Sequence, residues 1–280
     1  MKIKISSDST CDLSPELIEK YGIGIVPLTI IIDGKERKDG IDIHPKDIFD
    51  WVDSGGEMCK TTAPSPAEYE EIFRAHLRDH DAVIHINIGS GFSASWQNAK
   101  LAAEQCENVY AFDSENLSTG QGHLVLEAAR LCEKGLSPLE IIDELTDIRG
   151  RVESSFILCR LDYLVKGGRC SAAAAFGANV LKLKPCIEVT GNKMISKRKY
   201  RGSYSQCLRE YIKERLSGRE DIVMERLFLT YTPCSESDLQ AARDAVSEFS
   251  SFSEVFETTA GCTISCHCGP QTLGVLFIRK

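Results

Sequence analysis

The sequence predicts an α/β protein in two units: an N-terminal α/β/α unit on a parallel sheet, then a C-terminal α+β unit. Three observations predict it. Short apolar runs alternate with well-capped helical patterns up to residue 149, which is the pattern of a parallel sheet covered by helices on both faces. After residue 158 the pattern changes to hairpins mixed with helices. The charge also changes sign. Residues 1–158 hold 15 Lys and Arg against 28 Asp and Glu, a net −13, whereas 159–280 hold 18 against 13, a net +5. The units are therefore expected at 1–158 and 159–280.

In the first unit, KIKIS (2–6) reads as a strand emptying into a polar loop, Asp8 to Asp12. Ser14-Pro15 opens a short helix, with Pro where the missing N–H costs nothing. IGIVPLTIII (23–32) is a strand region broken by Pro27, and a helix follows His44-Pro45. Lys60 to Ser65 is a hydroxyl-rich loop, and Ser65-Pro66-Ala67-Glu68 is a capping box opening a helix to about residue 78. The apolar run 82–88 is the next strand. It ends in Gly89-Ser90-Gly91-Phe92-Ser93-Ala94-Ser95, and a helix opens at Trp96. Free amides and hydroxyls at such a strand-to-helix junction suit an acidic group. VYAFD (109–113) is a further strand, followed by an amphipathic helix over 118–134 and a helix capped by Ser137-Pro138-Leu139-Glu140. The loops after the strands 2–6, 82–88 and 109–113 should gather at one sheet edge, where ligands of such sheets bind.

In the second unit, 154–159 is a strand and Leu161 to Arg169 a short helix stopped by Gly167-Gly168. Residues 171–184 read as a small-residue apolar helix ended by Pro185. CIEVT and KMISKRKY form a hairpin about Gly191-Asn192. Helices follow at 203–217 and 235–249, with strands at 227–231, 254–259 and 272–278.

Composition narrows the function. Of 280 residues, 42% are apolar and 26% charged, enough for two packed cores in a water-soluble chain. The overall charge of −8 argues against nucleic acid. No run reaches the ~18 apolar residues of a membrane helix. The opening MKIKISSDST lacks a signal-peptide core, so a cytoplasmic location is expected. Phosphate-loop and dinucleotide-binding glycine motifs are absent, as is a nucleophile elbow around Ser93.

Three groups of residues have chemistry to offer. Thr61, Thr62 and Ser93 bring hydroxyls to two loops; each is also an ordinary helix-start residue. Arg169 and Arg201 are cations beside a Gly-Gly turn and a basic strand, suited to a carboxylate or simply to solvent. Cys262, Cys266, His267 and Cys268 have zinc-ligand chemistry but not zinc-knuckle spacing. They read first as a strand with inward Cys turned by Gly269-Pro270, with His267 placed to donate to an anion, and second as a metal or redox centre.

The ordered set is distinctive. Asp8-Ser9-Thr10-x-Asp12-Leu13 is followed by Lys60-Thr61-Thr62-Ala63-Pro64-Ser65, then Ser90 to Trp96, Asp113-Ser114 and Leu161 to Arg169. Leu183-Lys184-Pro185, Lys199-Tyr200-Arg201 and His267-Cys268-Gly269-Pro270 complete it. In order and spacing the whole chain resembles the DegV family of bacterial fatty-acid-binding proteins. The resemblance implies one long-chain fatty acid, such as palmitate or oleate, held between the two units, with no other cofactor and no metal. It implies that Thr61 or Thr62 and Ser93 hydrogen-bond the carboxylate, and that Arg169, Arg201 and His267 lie near the head group or a partner. Phe92, Phe176, Val180 and Leu181 are the candidates to line the acyl tunnel. It further implies a non-catalytic carrier that presents its cargo to a separate ATP-dependent fatty acid kinase. The alternative is an enzyme acting on a small acyl or phosphorylated substrate at the Ser93 loop. Ala94 stands where the family has Gly, which predicts a loop less able to reach positive φ.

Overall fold

A computed structural model describes residues 1–169 and 183–280. The expected small-residue helix, with Phe176, Val180 and Leu181, falls outside the described residues but for its last two positions.

The first sheet is built from β1 (Ile3–Asp8), β2 (Gly24–Val26), β6 (Ala82–Asn87) and β7 (Val109–Asp113), in the order β2-β1-β6-β7. Every pairing is parallel. β6 is buried at all its positions, as a central strand covered on both faces must be. One face packs on α1 (Pro15–Lys20), α5 (Ser118–Glu133) and α6 (Pro138–Arg149), through Ile5, Ile84, Ile86, Leu124, Ala128 and Ile141. The other packs on α3 (Pro66–His76) and α4 (Ser95–Ala103), through Tyr69, Phe73, Val83 and Ala99. Ser65 and Ser137 cap α3 and α6 with reciprocal boxes, as their sequences predict.

The second sheet is mixed, with the order β10-β9-β8-β13-β11-β12. Its strands are β8 (Val152–Leu158), β9 (Leu183–Thr190), β10 (Lys193–Arg201), β11 (Ile222–Tyr231), β12 (Glu254–Thr259) and β13 (Thr272–Arg279). One face is covered by α8 (Tyr204–Leu216) and α9 (Glu236–Phe249), over Leu208, Ile212, Leu227, Ala242 and Val275. β8, which a division at residue 158 leaves in the first unit, is paired between β13 and β9. Hydrogen-bonding partners decide sheet membership, and the charge split does not report them.

Five details differ from the sequence reading. Pro27 does more than break a strand: it separates β2 from β3 (Thr29–Ile32), which joins a third sheet with β4 (Lys35–Lys38) and β5 (Lys60–Thr62). The hydroxyl-rich "loop" therefore begins as a strand. α5 is buried nearly all round, because the first sheet takes one side and the second sheet the other. His123 on α5 reaches the Leu276 carbonyl at 3.0 Å, and Thr119 meets Thr230 at 2.6 Å. Pro185 lies inside β9, past the last residue paired with β8, where a missing N–H costs least. The Cys/His segment is a helix, α10 (Cys262–Cys268), not a strand; it packs with α2 (Pro45–Asp53) and α7 (Asp162–Gly167) around Ile30, Phe49 and Tyr163.

Candidate functional site

The parallel sheet brings its polar loops together at the carboxyl edge, as predicted. Asp8 at the end of β1 is the weld. It accepts from the Ile88 amide at 3.1 Å, Thr10 Oγ1 at 2.9 Å, Asn87 Nδ2 at 3.2 Å and Gln121 Nε2 at 2.5 Å. Burial nevertheless pushes its pKa up to about 6, those hydrogen bonds opposing the rise. Asp8 is thus spent on holding β1, β6 and α5 together. One loop further on, the Ser90 amide donates to Asp113 at 3.0 Å.

The second sheet closes over this edge. Asn192, in the left-handed turn between β9 and β10, donates to Ser90 Oγ at 3.1 Å and to Asp113 at 3.2 Å. Gly91 permits that approach: a Cβ there would lie 2.0 Å from the Asn192 carbonyl oxygen. Beyond it, Ala94 has φ −74 and ψ −1, an ordinary helical conformation, so replacing Gly leaves no strain at this position. Ser93 accepts from the Ser95 amide at 3.2 Å and meets the Ser95 hydroxyl at 2.9 Å. When Ser95 is the donor of that pair, the Ser93 proton is left for an acceptor in front of it.

The facing wall is β5. Pairing with β3 alternates its side chains, leaving Thr61 half-buried and Thr62 exposed. Thr61 Oγ1 lies 3.0 Å from Nε2 of His267, at the C-terminal end of α10. Burial, and secondarily the charge of Arg169, lowers the His267 pKa to about 4, so the ring is neutral at pH 7. In the tautomer with its proton on Nε2, His267 donates to Thr61 and leaves the threonine proton for an acceptor. Nδ1 has no protein partner among the described residues; it packs against Gly167, where a Cβ would come within 2.5 Å.

The first unit also fixes the start of α10. Asp39 accepts from the amides of Cys262 at 2.8 Å and Thr263 at 3.0 Å and from the Thr263 hydroxyl at 2.7 Å. Asp12 accepts from the Gly261 amide at 2.8 Å and from Ser118 at 2.5 Å. Burial, with the nearby Asp39 charge a lesser cause, pushes the Asp12 pKa up to about 8.

Between these walls lies a cavity of about 200 Å³. Its polar lining is Thr61, Thr62, Ser93, Arg169 and His267, and its apolar lining includes Phe92, Ile88, Leu117, Met194 and Ile264. A narrower apolar cavity of about 30 Å³ shares the walls Leu117, Ile264 and Cys268 and runs on past Phe156, Gly274 and Leu276. Of the residues singled out in the sequence, Arg201 does not line the cavity; it ends β10, exposed and paired in register with Leu183. Met194 and Ile264 were missed. Met194 has a legible signal, as an inward position of an alternating hairpin strand; Ile264 was hidden because its segment reads as a strand.

The family model for uncharacterised DegV-family proteins matches residues 2–280. The chain belongs to the DegV family. A DegV domain-containing protein of Caldanaerobacter subterraneus is 34% identical, covering 100% of this chain and 99% of its own. A DegV-family protein of Thermus thermophilus, described by its fatty acid binding, superposes with a TM-score of 0.90 at 28% identity over 100% of both chains. A stearic-acid-binding protein of Eubacterium ventriosum superposes with a TM-score of 0.84 at 26% identity, covering 99% and 98%. The two-unit α/β architecture is that of the DegV structures.

The cysteine segment of this DegV chain is not arranged for a metal. Helical spacing turns its side chains to different neighbours: Cys262 donates to the Ile43 carbonyl at 3.2 Å, whereas His267 meets Thr61. Among the described residues, no group of three or more His, Cys, Asp or Glu is placed to hold a metal ion. Among them also, no helix is long and apolar enough to cross a membrane.

Proposed function

We propose that this DegV protein binds one long-chain fatty acid and presents its carboxyl group at the cavity mouth. The observation that carries the reading is one cavity lined both by hydroxyls and an imidazole and by apolar side chains. A carboxylate taken from water needs donors, or it takes up a proton. Thr61, Thr62 and Ser93 are the donors, Arg169 supplies positive charge at the lip, and His267 orients Thr61. The tail runs from Phe92 and Ile88 toward the narrower apolar cavity. Burying about 14 methylenes at ~0.8 kcal/mol each gives an upper bound near 11 kcal/mol, so the tail dominates affinity and the hydroxyls set orientation. The fatty acids bound by the Thermus and Eubacterium relatives support the ligand class.

His267 is committed to Thr61 and Ser93 to Ser95, which fits a cradle better than a nucleophile with its base. The role that follows is a carrier, with chemistry at the exposed carboxyl supplied by a separate ATP-dependent kinase that forms an acyl phosphate. Organic extraction of the purified protein followed by mass spectrometry tests the ligand. A stoichiometric long-chain fatty acid, and a melting temperature raised by adding one, are expected. A lipid-free, folded protein indifferent to fatty acids would refute the reading. For the kinase step, acyl hydroxamate should appear when loaded protein, ATP, hydroxylamine and host-cell extract are combined, and not when the extract is omitted.

A further inference from the structure

The cysteines left over from the binding site are not scattered at random around it. Cys59 stands two residues before Thr61 and Cys266 one residue before His267, so each precedes one member of the 3.0 Å hydrogen bond that joins β5 to α10. A thiol–thiol hydrogen bond is the largest influence on the pKa of each, lowering that of Cys59 and raising that of Cys266. Both belong to the packing around Ile30, Phe49 and Tyr163, Cys266 buried within it and Cys59 half-exposed at its edge. Cys262, one helical turn earlier on the same face, is engaged with the Ile43 carbonyl.

We infer that Cys59 and Cys266 are a redox couple whose disulfide clamps the strand carrying Thr61 and Thr62 to the helix carrying His267. The accessible partner is the better nucleophile: contact with Cys266 lowers the Cys59 thiol pKa, outweighing partial burial. A peroxide is the matching oxidant. The Cys59 thiolate attacks one peroxide oxygen, the O–O bond breaks, and Cys59 becomes a sulfenic acid as water leaves. The Cys266 thiol then attacks the Cys59 sulfur; the S–S bond forms, the S–O bond breaks, and the departing hydroxide takes the Cys266 proton and leaves as a second water. Two thiols lose two protons and two electrons, and one peroxide becomes two waters.

The consequence for the pocket follows from how lightly β5 is held. It is a three-residue strand paired only with β3 among the described residues, so it is the cavity wall that opens most easily. A covalent tie beside Thr61 suppresses that opening. For its effect on lipid this inference rests on the fatty-acid reading; the bond itself does not.

The test compares reduced protein with protein treated with hydrogen peroxide. Peptide mapping without reductant should yield one peptide pair joining Cys59 to Cys266. Amide hydrogen exchange at residues 60–62, and release of a fluorescent fatty acid, should each slow by about tenfold. In Cys59→Ser, folded as judged by its melting temperature, peroxide should change neither rate. Absence of the linked pair, or a linked pair with unchanged amide exchange, overturns the inference. A linked pair with slowed exchange but no fatty acid bound in either form upholds the clamp and refutes the ligand instead.

Discussion

Thr61 Oγ1 and His267 Nε2, 206 positions apart, meet at 3.0 Å and join the two walls of the cavity. If His267 serves to aim the Thr61 hydroxyl, removing either partner should cost the same interaction once. Thr61→Val and His267→Phe should each weaken fatty-acid binding by about tenfold, and the double variant by little more than either alone. Equilibrium titration of the four proteins checks this; additive losses would separate the two roles.

Ser93 has two duties. It accepts the Ser95 amide at the start of α4 and faces the cavity. Ser93→Ala should therefore lower stability by ~1 kcal/mol, the usual net worth of one hydrogen bond, and also weaken binding. Ser93→Thr should restore both. Denaturant unfolding and titration measured on the same preparations separate the two losses.

Gly91→Ala should be the most damaging small change near the site, because the new methyl would meet backbone rather than a movable side chain. The Asn192 carbonyl must shift, and overpacking of this kind costs about 1–3 kcal/mol. A lower thermal midpoint and weakened lipid binding are expected together.

The pH response of the seam follows from Asp12, whose folded pKa is about 8. An unfolded Asp titrates near ~3.9. Between those values the folded chain keeps a proton that the unfolded chain releases. Asp12 therefore makes stability fall as pH rises across that window, by up to ~1.4 kcal/mol per pH unit, an effect absent once both states are protonated. Asp12→Asn imitates the protonated side chain and removes the slope. Its stability relative to the parent should rise from pH 5 to pH 8 in urea unfolding; a constant difference would contradict the assignment. His267, with a folded pKa of about 4, has the opposite sign: its contribution is present above the unfolded value near ~6.5 and is lost as pH falls toward 4. In lipid-free protein its ring resonances should stay in the neutral position from pH 8 down to about pH 5.

Ile264 is one of the side chains that line both cavities. Ile264→Phe adds volume at that wall and should shift the bound lipid toward shorter chains. Mass spectrometry of lipid extracted after loading with an equal mixture of chain lengths reads the change directly.

Local chemistry was legible wherever it is settled by near neighbours. The capping boxes at Ser65 and Ser137 and the turn at Gly191-Asn192 form where their sequences place them. So do the loops at the parallel edge, since strand–helix alternation forces them to one side. The reading failed where a distant partner decides. Cys262 to Cys268 has no helical signature strong enough to outweigh its β-prone composition; its helix starts on the carboxylate of Asp39, more than two hundred positions away. α5 reads as amphipathic because its sequence holds polar residues such as Thr119 and His123, yet both are buried against the second sheet, where Thr230 and the Leu276 carbonyl satisfy them.

By itself the sequence determined the two-unit α/β class and the identity of the hydroxyls, the imidazole and the arginine that line the cavity. Those depend on periodicity, caps and motif order, which are properties of neighbouring residues. Only the tertiary structure decided that Thr61 sits on a strand, that His267 rides on a helix and faces it, that Arg201 stands away from the cavity, and that Cys59 meets Cys266. Each is a contact across a large loop of chain, fixed by which surfaces pack rather than by local preference.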